Sequence, residues 1–272
     1  MEQTSTTRAP GATAPIRRSW KRAVQCSPAL VAPSRYVAEL MEFTLAIAGP
    51  AMQAHYDAFR AHADGRRLLD ERPSLRDHLA DRDGLASLPE GSFGRAYLEF
   101  VSRYRFDAAA FDQVHQLDAM GARLGWDEDL TFVMARGLQL HDLWHTLGGY
   151  GPDWAGEAGV IHFTYGQIPF AGMVVIGGVL AALPGGIPRA RYRRYLAQAR
   201  RRGRQAGNLL VAPYEELLPL PIAEVRERLG IAPTEVAHPE GMPYSAFRYG
   251  LGKVMDDAYD AYRPPSLSSR GA

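Results

Sequence analysis

The sequence predicts an all-α protein, a single mainly helical domain, and three observations carry that prediction. Apolar residues recur at spacings of three and four along most of the chain. No stretch alternates strictly enough between apolar and polar residues to build a sheet. Glycine and proline pairs fall at the ends of the helical runs, where they stop a helix. A chain of 272 residues, 46% hydrophobic, is also long enough to bury a core unaided.

Between 35 and 60, Val37, Leu40, Met41, Phe43 and Leu45 follow the helical period and Gly49-Pro50 breaks it, so two successive helices are expected. Residues 88–95 are turn chemistry running into an apolar helix, with Ser92 as its cap. The segment 127–144 opens on acidic residues suited to a helix N-terminus, continues through Leu130, Val133, Met134, Leu138 and Leu140, and stops at Gly148-Gly149. Further helices are expected at 156–163, 170–183, 188–202 and 222–229, and an amphipathic one at 246–262.

Residues 1–34 carry Thr, Ser, Pro, Arg and Ala without apolar periodicity and read as a disordered leader. The helical domain is expected over 35–231. Residues 232–272 read as a C-terminal extension, partly helical and then disordered in its Pro-Pro-Ser-Leu-Ser-Ser end. Arg17, Arg18, Lys21 and Arg22 have the charge of a transit peptide, but Glu2 and the prolines argue against one. Lysine and arginine number 31 against 30 acidic residues, so no global field attracts nucleic acid. Cys26, the one cysteine, can form no internal disulfide, which suits a reducing compartment. The longest apolar run, 168–183, falls short of the roughly 20 residues needed to span a bilayer.

The strongest chemical signal is His141-Asp142-Leu143-Trp144-His145, followed after eleven residues by Glu157. Imidazoles and carboxylates at such spacing are what a divalent metal requires. On a helix His141 and His145 lie about 40° apart around the axis and Asp142 about 100° from His141, so the three project into a common arc. Gly148, Gly149, Gly151 and Pro152 end that helix and let the chain reverse, bringing Glu157 to the same ion. Asp142 is either a direct ligand or the acceptor for a metal-bound imidazole's second proton. Position 142 is Asp and no Glu stands beside His141 as a general base, which argues against the zinc-protease pattern and peptide hydrolysis. Zinc, iron and manganese all suit such a donor set.

Three other features bear on partners. The run 168–183 is rich in small residues and reads either as the wall of an apolar tail-binding channel or as an ordinary buried helix. Arg189, Arg191, Arg193, Arg194, Arg200, Arg201, Arg202 and Arg204 follow, interleaved with Tyr192 and Tyr195, a density that suits anionic lipid headgroups or an acidic partner and equally a solvated helix face. Arg95, just past the Ser92 turn, is a candidate partner for a substrate carboxylate or phosphate.

The motif HDLWHTLGGYGPDWAGE resembles the signature of the coenzyme Q biosynthesis protein 4 family, His-Asp-x-x-His, eleven residues and Glu. LLDERPSL at 68–75, LPEGSFGRAYLEF at 88–100 and RRGRQAGNLLVAPYEELLPLPIAEVRERLGI at 201–231 are similar to the same family, so the resemblance covers roughly 33–231. It implies an all-helical protein with a metal, usually taken as zinc, held by His141, Asp142, His145 and Glu157, which would also be the catalytic residues. It implies removal of the C1 carboxyl of a polyprenyl-hydroxybenzoate during ubiquinone biosynthesis. The implied partners are that prenylated precursor, an anionic membrane surface and other quinone-biosynthesis proteins, with a homodimer left open and no nucleic acid. The implied location is peripheral, on the inner membrane of a bacterium from the cytoplasmic side, or on the mitochondrial inner membrane in a eukaryote. Against this enzyme stands a non-catalytic lipid-binding scaffold whose metal braces two helices. A His-Asp phosphohydrolase fits poorly, because it needs a distant second His and Asp in place of the tight His145 and Glu157 spacing.

Overall fold

The structure, a computed structural model, describes residues 16–30, 37–103, 113–151, 154–181 and 189–236. Among them every regular element is helical: α1 (Trp20–Cys26), α2 (Val37–Ala46), α3 (Pro50–Ala61), α4 (Ala63–Glu71), α5 (Leu75–Ala80), α6 (Arg82–Ser87), α7 (Phe93–Arg103), α8 (Gln113–Leu124), α9 (Glu128–Gly148), α10 (Trp154–Gln167), α11 (Ala171–Ala181), α12 (Arg189–Gln205), α13 (Tyr214–Leu217) and α14 (Ile222–Arg228). The closest approach to a sheet among these residues is an isolated bridge between Ser92 and Pro221. It is supported by Phe93 N–H donating to the Leu220 carbonyl at 2.8 Å and ties the start of α7 to the end of the fold.

The helix boundaries are set locally where sequence reading placed them. Asp127 Oδ1 accepts from the Leu130 N–H at 2.8 Å and caps α9, with Glu128 and Asp129 in its first turn against the helix dipole. Gly149, at φ 71°, ends it in the left-handed conformation. Ser92 Oγ accepts from the Arg95 N–H at the start of α7.

The core is built on α10 and α12, which cross backbone to backbone. A Cβ at Gly203 would lie 2.0 Å from the Phe163 carbonyl oxygen, so only glycine permits the approach. Around that crossing Leu140, Leu143, Trp144 and Leu147 of α9, Ala158 and Phe163 of α10, Tyr195 and Ala199 of α12 and Tyr97 of α7 form one buried cluster. The Trp144 indole N–H donates to Tyr214 Oη at 2.9 Å, so the largest buried side chain leaves no orphaned donor.

Two expectations need correction. Part of the expected leader is folded: α1 buries Ala23 and Cys26 and packs on α2. Its Arg22 joins Arg123 of α8 on the buried carboxylate of Glu42, a clamp that local periodicity could not show. At the other end, Ala232 O accepts from Arg202 Nε and the Glu235 and Val236 N–H groups donate to Gln198 Oε1, so 232–236 dock on α12. The helix expected at 246–262 lies outside the described residues.

Candidate metal centre

His141 and His145 stand one turn apart on α9, and Glu157 enters from the first turn of α10 across the glycine turn. Their donor atoms form a small triangle: His141 Nε2 to His145 Nε2 is 3.2 Å, His141 Nε2 to Glu157 Oε2 is 3.4 Å and His145 Nε2 to Glu157 Oε1 is 3.4 Å. A tetrahedral ion about 2.0–2.1 Å from each donor sets those donors roughly 3.3–3.4 Å apart, so the residues fit a divalent metal in spacing and in chemistry. Burial is uneven. The His145 side chain is 2% exposed, while those of His141 and Glu157 are 29% and 31% exposed, so the triangle is closed behind and open in front. Three protein donors with an accessible side are the pattern of a catalytic rather than a structural site.

The closed side fixes His145. Its Nδ1–H donates to the Tyr150 carbonyl at 3.2 Å, which leaves Nε2 as the lone-pair nitrogen facing Glu157. Phe100 of α7 stacks on the same ring, centroids 5.5 Å apart and planes at 24°. Burial would raise the Glu157 carboxyl, but the neighbouring His145 and His141 imidazoles hold it far below the usual carboxylate range.

The end of α9 is held by residues that sequence reading did not single out for this role. All four carbonyls of its last turn are satisfied: His145 O by the Tyr150 N–H, Thr146 O and Leu147 O by Arg226, and Gly148 O by Arg202. Arg202 also donates to Tyr150 Oη at 2.9 Å, so one guanidinium fixes both the helix end and the residue that orients His145. Expected among the arginines of a charged run, Arg202 is buried. The signal was present in its phase: Tyr192, Tyr195, Ala199 and Arg202 continue one inward row at spacings of three and four. Arg191, Arg193, Arg194 and Arg200 face outward.

Two of the expected site residues stand differently. Among the described residues the donors that converge are those of His141, His145 and Glu157, and Asp142 is not with them. Its offset of about 100° from His141 around the helix, against about 40° for His145, keeps it out of the converging set. Burial raises its carboxyl, His141 and His145 pull it down and Glu157 pushes it up, so Asp142 stays within electrostatic reach of the triangle. Arg95 donates to the Ala86 carbonyl at 2.6 Å and so closes the end of α6 instead of reaching the triangle. A cavity of about 280 Å³, lined by His55, Gln167, Arg204 and Asn208 among others, shares no residue with the triangle and is too polar to be the expected tail channel.

An all-α protein with two imidazoles and a carboxylate set at metal-ligand spacing across a helix–turn–helix junction is the class that fold and geometry define. The model of one family, described as coenzyme Q (ubiquinone) biosynthesis protein Coq4, matches residues 14–235 and so takes in every element of the site. The chain belongs to that family, a family of ubiquinone biosynthesis. It is 32% identical over 146 residues to "Ubiquinone biosynthesis protein COQ4, mitochondrial" of Coprinopsis cinerea, covering 53% of this chain and 46% of that one. It is 30% identical over 208 residues to "Ubiquinone biosynthesis protein COQ4 homolog, mitochondrial" of Aedes aegypti, covering 75% and 71%. The match thus spans less than half the length of the fungal relative. A crystal structure of a Nostoc punctiforme protein shares the fold, with a TM-score of 0.57 over 79% of this chain and all of the other at 19% identity. Among the described residues no helix is long and apolar enough to cross a membrane.

Proposed function

We propose that the chain is a metal-dependent enzyme that removes the C1 carboxyl of a polyprenyl-hydroxybenzoate intermediate at a membrane surface. The observation that carries this reading is the triangle of His141, His145 and Glu157, closed by Phe100 and Tyr150 behind and open in front. A bound divalent metal would supply Lewis acidity toward the substrate's carboxylate or ring oxygen and stabilise the negative charge that develops on the ring as carbon dioxide leaves C1, a proton taking its place in the non-oxidative course. The aromatic head enters between His141 and Glu157, the two partly exposed members. Phe100 keeps water from the rear of the His145 ring, and the Tyr150 carbonyl holds that ring in one tautomer. The prenyl tail runs along α11, whose sequence holds no polar side chain. An oxidative course requires dioxygen as oxidant and favours iron or manganese over zinc.

Elemental mass spectrometry of the purified chain beside His145→Ala, with turnover of a prenylated hydroxybenzoate under air, tests the reading. Near-stoichiometric metal and carbon dioxide release, both lost in the variant, are expected. Bound metal without turnover would favour the scaffold role, in which the metal braces α9 against α10.

A further inference from the structure

The metal centre draws on α7, α9, α10 and α12 and leaves unused an exposed apolar surface on α1 and on the outer row of α11. Among the described residues three large apolar side chains are exposed: Trp20 at 64%, Val24 at 71% and Val174 at 54%. They stand on α1 and α11, which both pack on α2, and Ala23 of α1 and Val175 of α11 belong to one apolar cluster. On α11 the exposed positions Ala171, Val174 and Gly178 fall in one row, and nothing in that helix offers water a polar side chain. A helix with an apolar outer row of this kind is built to be covered.

The charge on α1 says by what. Trp20 and Val24 lie about 40° apart around the axis and Lys21 about 60° beyond Val24, while the buried Ala23 and Cys26 occupy the other flank. Arg17, just ahead of the helix, is exposed as well. Neither Arg17 nor Lys21 takes part in an ion pair among the described residues, whereas Arg22 is committed to Glu42. Residues 16–26 contain no Asp or Glu. Exposed Trp and Val beside unpaired cations match the boundary of an anionic bilayer, where indoles settle at headgroup depth and cations meet phosphates.

We propose that α1 and α11 form the face by which this chain docks on anionic lipid, with Trp20, Val24 and Val174 entering the headgroup boundary and Arg17 and Lys21 contacting phosphates. The proposal rests on the membrane-surface part of the function above and assigns the contact to helices other than the arginine-rich α12.

Sedimentation of the full chain with phosphatidylcholine vesicles, with and without phosphatidylglycerol, tests it. The chain is expected to bind the anionic vesicles. Trp20→Ser combined with Val24→Ser lowers that partition by about tenfold or more, and Lys21→Glu lowers it by about fivefold or more. Arg191→Glu with Arg193→Glu on α12 leaves it within about twofold. Circular dichroism confirms that each variant keeps its helices. Wild-type binding by the α1 variants, beside loss in the α12 variant, overturns this face and spares the membrane reading. No vesicle binding by the wild type overturns both. A concentration-dependent dimer that the same α1 variants dissociate gives the face to a second copy and also overturns the proposal.

Discussion

Arg202 donates to the Gly148 carbonyl oxygen at 2.8 Å, so a residue of α12 closes the helix that carries both histidines. The guanidinium lies against the Tyr150 ring as well, its Cζ 5.6 Å from the ring centroid. Its partners Gly148, Tyr150 and Ala232 are neutral, and the negative end of the α9 dipole balances the charge.

Replacing Arg202 with Met keeps the volume and removes the donors. The Tyr150 carbonyl then loses its fixed place beside His145, and metal affinity is expected to fall about 10–100-fold. Global stability falls by about 2–4 kcal/mol, because buried carbonyls lose charged donors. Chelator competition and urea unfolding measure the two separately. Unchanged affinity beside lower stability would make Arg202 a brace with no bearing on the site.

Two glycines of the core predict opposite outcomes. Gly203→Ala drives a methyl into the Phe163 carbonyl, forces α12 off α10 and moves the helix that bears Glu157. A loss of roughly 3 kcal/mol or more is expected, with weakened metal binding. Gly137, in the middle of α9, has nothing within 4 Å of where a Cβ would stand, so Gly137→Ala is expected to stabilise by about 0.5–1 kcal/mol. Thermal denaturation of the two variants should shift in opposite directions, and a Gly203→Ala protein as stable as wild type would refute the crossing described here.

The Glu42 clamp predicts an acid dependence. Burial alone would raise this carboxyl, yet hydrogen bonds and charge from Arg22 and Arg123 hold it at about 2, below the ordinary 4.5. A depressed folded-state pKa contributes stability that is complete above about 4.5 and is lost as the pH falls toward 2. The contribution amounts to at most about 3 kcal/mol. In urea unfolding, Glu42→Gln should be clearly less stable than wild type at pH 7, and the gap should shrink by more than half by about pH 3 and close as the pH nears 2. A gap of constant size across that range would show that the clamp carries no linkage.

Some of the site was legible because it is local. The His141 and His145 spacing is fixed by the helical repeat, and Asp127 and Gly149 mark the bounds of α9 through their own backbone preferences. Glu157 was legible through the glycine turn. The short helices α4, α5 and α6 span too few turns to display a period, and α1 carries charge and no heptad-like row, so neither kind announced itself.

The sequence by itself determined the helical class, the caps, and the two histidines and one glutamate that share an ion's distance. It did so because helix pitch and turn chemistry act between residues a few positions apart. Only the tertiary structure decided that Asp142 stays outside the converging donors, that Arg95 closes α6, and that Arg202, alone among the described arginines of α12, is buried to hold the end of α9. Those outcomes depend on which face of each helix meets another element. Residues as far apart as Gly148 and Arg202 settle that question by packing, and no local preference encodes it.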